Sequence, residues 1–164
     1  LRHEPDYFMR QFSVRSFDDT GRLQSEVRGR EGRHYPDTDT LEIDQVQIRS
    51  YNAEGRMVLA TADRALSNAD ASEVQLFGNA VVVREAGQRA DGAEDPRLEF
   101  RGDFLHAFVN SEQVRSHLPV ELIRGRDRFT GDSMEFDNLA RRLDLRGRVH
   151  GRLLPAPAPA PKSR

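Results

Sequence analysis

The sequence lacks several residues that mark common classes of protein. It has no cysteine, no tryptophan and only three tyrosines among 164 residues. The absence of cysteine excludes a disulfide framework, a thiolate nucleophile and a cysteine zinc site. No apolar run approaches the roughly 18 to 20 residues that cross a bilayer. Because the chain begins at Leu1 rather than at methionine, we expect an anchoring or targeting segment upstream of it.

The chain also lacks a surplus of charge of one sign. It has 25 basic and 27 acidic residues, which leaves a formal net charge of −2. A dedicated nucleic-acid binder needs a basic surplus, so this balance argues against nucleic acid as a partner. The length suits one domain with its own core.

Motifs of catalysis and of metal binding are missing as well. The sequence contains no phosphate-binding loop, no nucleophile elbow and no dinucleotide fingerprint. Its histidines are far apart and none has a metal-ligand spacing; they are His3, His34, His106, His117 and His150. We therefore predict no catalytic residue, no metal site and no cofactor.

What the sequence does contain is alternation with a period of two, which is typical of β-strands. From Leu139 to Leu153 most odd positions carry leucine, valine or glycine, and the even positions from Arg142 onward are polar or charged. This pattern predicts one continuous final strand. Between Leu41 and Ile48 the apolar phase moves from odd to even positions, which predicts a β-bulge.

Turn signals separate the alternating runs at short intervals. They include Asp18 to Gly21, in which Gly21 is expected to need a positive φ, and Gly125 to Asp127. Many short strands between tight turns predict an all-β sandwich, barrel or jelly roll over residues 1–154. The polar segment from Gly87 to Pro96 is predicted to be an exposed loop. Residues 155–164 are rich in proline and alanine, which favours a flexible tail or spacer.

A weak internal repeat adds to this pattern. Asp63 precedes Gly78 by 15 residues, and Asp132 precedes Gly147 by the same interval. In both copies a leucine stands two places before the glycine. Such a rhythm predicts stacked hairpins that bury their apolar faces against one another, with open edges at the first and last strands.

In their order and spacing, several short motifs resemble the periplasmic domains of the LptC family. The matching blocks run from Pro5 to Leu153, and they are Pro5 to Phe8, Phe17 to Leu23, His34 to Asp39, Ala62 to Ala65, Leu76 to Val81, Pro119-Val120, Gly131 and Leu143 to Val149. The chain departs from the family in its Pro-Ala tail and in lacking a tryptophan near Val58.

The resemblance implies a twisted antiparallel β-jellyroll of about fifteen short strands, like those of LptA, LptC and OstA, open at both edges. It implies a role without catalysis in the periplasm, where an N-terminal helix absent from this chain tethers the domain to the inner membrane. The domain would accept lipopolysaccharide from the inner-membrane lipopolysaccharide ABC transporter and pass it to the periplasmic bridge protein LptA.

The same resemblance places two docking edges. The N-terminal edge would face the transporter, and its candidate residues are Tyr7, Phe12, Val14, Phe17 and Gly21. The C-terminal edge would pair with an LptA-like protein through its edge strand, and its candidate residues are Leu143, Leu145, Gly147 and Val149. An exposed strand edge has unpaired N–H and C=O groups that allow such pairing.

Apolar positions of the strands supply candidates for a lipid-binding interior. The residues expected to point inward are Ile43, Val46, Leu76, Val82, Phe100, Phe104, Val120, Leu122, Met134 and Phe136. The same residues could instead fill a dry core, and we expect only some of them to touch lipid. Two other functions remain open, a carbohydrate-binding or carbohydrate-active jelly roll and a self-assembling β module.

Overall fold

The structure is a computed structural model that describes residues 2–155, so most of the predicted tail lies outside the described residues. The described part is all β, with no helix that could cross a membrane. Its 14 strands are β1 (Tyr7–Phe17), β2 (Leu23–Tyr35), β3 (Thr40–Tyr51), β4 (Met57–Asn68), β5 (Glu73–Arg84), β6 (Gly87–Gln88), β7 (Glu94–Asp95), β8 (Leu98–Phe108), β9 (Gln113–Ser116), β10 (Val120–Arg124), β11 (Asp127–Gly131), β12 (Ser133–Asp137), β13 (Arg142–Arg146) and β14 (His150–Arg152). The prediction of an all-β fold of about fifteen short strands is confirmed.

Twelve of these strands form one antiparallel sheet that divides at β8. The order β1-β2-β3-β4-β5-β8 is followed by two branches. The first branch is β10, β11 and β14, and it continues from Leu98–Gly102 of β8. The second branch is β9, β12 and β13, and it continues from His106–Phe108. Within the described residues, β1, β13 and β14 each pair along one side, so the sheet is open at both ends.

The internal repeat corresponds to two equivalent corners of the chain. Gly78 and Gly147 have φ angles of +77° and +75°. A Cβ atom at either glycine would lie 2.7 Å or less from a carboxylate oxygen, of Asp63 or of Asp132 respectively. Both positions therefore require glycine, because of the left-handed backbone and the close approach of the aspartate. The predicted repeat is confirmed in three dimensions.

The predicted bulge in β3 is wrong, although the change of phase is real. Ile43 and Val46 are both buried, yet the register of β3 with β2 and β4 is unchanged on either side of Gln45. The change comes from Gln45 itself, whose φ of +53° turns the following residues to the other face. An inserted residue occurs instead in β5, between Phe77 and Ala80.

The predicted continuous final strand is also wrong. It is two strands, β13 and β14, which join different branches of the sheet. The break is at Gly147 and Arg148, because both have positive φ angles, and Val149 lies between the strands. The alternation was continuous in sequence, but the corner changes the direction of the backbone.

The segment from Gly87 to Pro96 is more ordered than an exposed loop. It contains the hairpin of β6 and β7. Arg56 and Arg89 hold this hairpin through Asp95, at 2.6 Å and 3.0 Å. The sequence offered no signal for the Arg56 pair, because Arg56 is 39 residues away from Asp95.

The core is one cluster of side chains from β3, β4, β5, β8 and both branches. Its fully buried large side chains are Ile43, Leu76, Leu105, Leu122 and Met134. Phe100 of β8, in the part that pairs with the first branch, contacts Phe136 of the second branch, with ring centroids 5.0 Å apart. Complete burial of each such side chain stabilises the fold by about 1.5–3 kcal/mol.

Candidate functional site

The interior enclosed by β3, β4, β5, β8 and the two branches contains most of the residues predicted to point inward. Eight of the ten belong to the core cluster, and they are Ile43, Val46, Leu76, Val82, Phe100, Val120, Leu122 and Met134. Phe136 is half-buried and packs against this cluster. The structure thus brings these residues together as one continuous apolar surface. Contact of any of them with lipid stays a prediction.

Phe104 differs from the other nine candidates in what it contacts. It is buried, but it is not part of the core cluster, and it packs against Phe77 and His117 at centroid distances of 5.3 Å and 4.6 Å. Its neighbour Leu105 points inward instead, opposite Leu76. The reason is the register shift between β5 and β8 beside Asp103, which exchanges the two faces of the strand.

The C-terminal edge consists of β13 and β14 rather than of one strand. Leu145 packs against the core, and a Cβ atom at Gly131 would lie 3.3 Å from it, whereas Leu143 is 37% exposed. Gly147 and Val149 are exposed at the corner between the two strands. The predicted row from Leu143 to Val149 is therefore interrupted, and β13 is the longer of the two available edges.

The N-terminal edge is β1, and one residue fixes it to the rest of the sheet. The ring of Phe12 covers Gly29 and Gly32 of β2, where added Cβ atoms would lie 2.8 Å and 2.9 Å from it. Tyr7, Val14 and Phe17 are exposed along the same strand, and Gly21 has the expected positive φ of +83°. Four of the predicted residues thus lie on one exposed strand with Phe12 as its anchor in the core, and Gly21 lies in the turn that follows.

One histidine, His34, holds the start of β1 through contacts that its position in the sequence did not indicate. The ring of His34 stacks on Tyr7, with centroids 4.7 Å apart. Its Nδ1 and Nε2 atoms lie 2.7 Å from Asp6 and 2.9 Å from Asp39. Both nitrogens can donate only in the imidazolium form. The hydrogen bonds that His34 donates to Asp39 and then to Asp6 raise the pKa of His34 above its ordinary value.

This geometry predicts a pH dependence of stability. A raised folded-state pKa means that the stabilisation is present below the unfolded-state value, near 6.5, and is lost as the pH rises through the folded-state pKa of His34. We therefore expect the free energy of unfolding to decrease as the pH rises from the unfolded-state pKa through the folded-state pKa, and we expect the decrease to be smaller in His34→Asn.

Urea denaturation at a series of pH values measures this decrease. The control is His150→Asn in the exposed β14; an identical pH profile in His34→Asn and the wild type would contradict the prediction.

The described residues thus form an open antiparallel jellyroll with a buried apolar interior, and its unpaired edge strands leave backbone groups free for pairing with another strand. A family model described as "LptC: Lipopolysaccharide-assembly, LptC-related" matches residues 1–154. The chain belongs to this LptC-related family, as its motifs predicted.

A solved structure supports the fold. The chain is similar to LptH, described as the LptA homologous periplasmic component of the conserved lipopolysaccharide transport device from Pseudomonas aeruginosa. The identity is 12%, the TM-score is 0.58, and the match covers 93% of this chain and 96% of that chain. At this identity the likeness shows the jellyroll fold alone. A comparison with curated proteins finds no match.

Proposed function

We propose that this chain is a non-catalytic carrier domain in lipopolysaccharide transport. It accepts lipopolysaccharide from the inner-membrane ABC transporter and passes it to an LptA-like periplasmic protein. We further propose that it works in the periplasm, tethered to the inner membrane by an N-terminal helix upstream of this sequence. Membership of the LptC-related family supports this proposal.

The observation that carries the proposal is the apolar interior enclosed by β3, β4, β5, β8 and the two branches. This interior is one spatial cluster that includes Ile43 of β3 and Met134 of β12, and it belongs to a sheet that is open at both ends. Burial of an acyl chain is favourable by about 0.8 kcal/mol for each methylene group. A lipid that enters between the branches would therefore gain free energy along the whole length of its chains.

The open edges suit the two docking roles. β1 presents its free side at the N-terminal edge, where the transporter would bind. β13 and β14 present theirs at the C-terminal edge, where a strand of the LptA-like protein would continue the sheet. Because each edge belongs to the same sheet as the interior, strand addition would extend the apolar surface into the partner.

Site-specific photocrosslinking tests the proposed lipid contact. We expect a benzophenone side chain at Phe136, which is half-buried beside the core, to crosslink purified lipopolysaccharide. The matched control is the same group at Phe77, an exposed phenylalanine that packs on Phe104 outside the core cluster. Equal crosslinking at the two positions, or crosslinking at Phe77 alone, would contradict a lipid-binding interior.

A further inference from the structure

One arginine lies at the margin of the interior. Arg84 ends β5 opposite Leu98 of β8, two residues beyond the buried Val82 on the same strand face. Its Nη1 atom donates a hydrogen bond to Oδ1 of Asn138, 2.7 Å away, in the turn between β12 and β13. This contact connects the end of β5 to the second branch, across 54 residues of sequence.

The Arg84–Asn138 contact lies directly beside an apolar one. Phe100 pairs with Val82, one inward step from Arg84, and Phe136 stands two residues before Asn138. The rings of Phe100 and Phe136 make the contact between the branches described above. A polar bridge at the margin and an apolar contact just inside it match the division of a lipid into headgroup and acyl chains.

The guanidinium of Arg84 is incompletely satisfied. Within residues 2–155 it makes no ion pair, and its buried Nε atom has no hydrogen-bond partner. The neighbouring Asp95 is already shared by Arg56 and Arg89. Burial, and next the charge of Arg56, lower the pKa of Arg84 from the ordinary arginine value. A half-buried guanidinium that is held only by a neutral amide gains the most interaction free energy from an anion that accepts two parallel hydrogen bonds from it.

We infer that Arg84 is a phosphate-binding latch at this margin of the interior. In the lipid-free chain Arg84 bridges to Asn138. When the acyl chains of a phosphorylated lipid enter between the branches, a phosphate group of that lipid binds the guanidinium of Arg84. The hydrogen bond from Arg84 to Asn138 then breaks. This inference rests on the proposed function and adds the headgroup chemistry that the interior recognises.

The test compares two lipids and two variants in equilibrium binding to the 164-residue chain. The lipids are diphosphoryl lipid A and its dephosphorylated form. We expect Arg84→Gln to weaken binding of the diphosphoryl form about tenfold or more, and to change binding of the dephosphorylated form less than about twofold. Asn138→Ala removes the competing acceptor, so we expect it to strengthen binding of the diphosphoryl form.

Arg128→Gln is the matched control, because it removes an exposed arginine that pairs with Glu121. Equal effects of Arg84→Gln and Arg128→Gln would overturn the latch, and so would equal loss of both lipids in Arg84→Gln. If Arg84→Gln fails to fold, Asn138→Ala provides the test instead. Weaker or unchanged binding of the diphosphoryl form by Asn138→Ala would contradict the latch. Arg84-dependent binding of inorganic phosphate alone would overturn the assignment to a lipid. Failure of the wild type to bind either lipid would instead refute the proposed function.

Discussion

Leu143→Asp is expected to weaken association with an LptA-like partner at least about tenfold. Leu143 is on β13, whose outer side is unpaired within the described residues, and its side chain is 37% exposed. A partner strand added there would bury it beside Leu145, and a buried carboxylate without a partner opposes that burial. The free energy of unfolding should change by less than about 1 kcal/mol, since the site is at the surface. A pull-down with a denaturation curve measures both effects.

Leu118 supplies the matched control for Leu143. It is 38% exposed and lies between β9 and β10, away from either edge. Leu118→Asp should leave partner binding unchanged, so equal losses in the two variants would contradict docking at β13. Gly147→Arg is a poorer test, because its positive φ and the nearby Asp132 would strain the corner itself. Concentration-dependent filaments that Leu143→Asp abolishes would favour self-assembly instead.

Gly29→Val is expected to lower the free energy of unfolding by about 3 kcal/mol. A Cβ atom at this position would lie 2.4 Å from Cγ2 of Ile43 and 2.8 Å from the ring of Phe12. Ile43 is fixed in the core, so Phe12 must move and β1 loses its anchor. Urea denaturation measures the loss, and hydrogen exchange should show reduced protection concentrated in β1 and β2.

The control for Gly29 is the next residue of the same strand. Arg30 is exposed, so Arg30→Val should change the free energy of unfolding by no more than about 0.5 kcal/mol. Wild-type stability in Gly29→Val would show that the strands adjust freely. In that case Phe12 would not be the anchor of the N-terminal edge.

Much of the interior could be predicted from alternation, because strand faces follow a period of two. Phe100 and Leu122 are examples, since both lie in straight parts of their strands. The prediction failed where the backbone turns. Gln45 and Arg148 adopt left-handed φ angles that neither residue type signals. Beside the register shift at Asp103, Phe104 packs on Phe77 and His117 instead of joining the core cluster.

Contacts between distant strands could not be predicted at all. His34 resembled an isolated histidine until the fold placed Asp6 and Asp39 on either side of it. No sequence pattern marks Arg84, and its link to Asn138 depends on how the end of β5 faces the turn between β12 and β13. Such pairs follow from the three-dimensional packing of elements, which local sequence patterns do not contain.

Transfer of lipopolysaccharide in a reconstituted membrane tests the central claim most directly. Proteoliposomes would contain the lipopolysaccharide ABC transporter and this protein with a photocrosslinker at Phe136, and an LptA-like protein would be added outside. We predict ATP-dependent crosslinks of lipopolysaccharide to this protein, followed by delivery to the LptA-like protein that Leu143→Asp prevents. Delivery at the same rate without this protein, or with no lipopolysaccharide ever crosslinked to Phe136, would contradict the account.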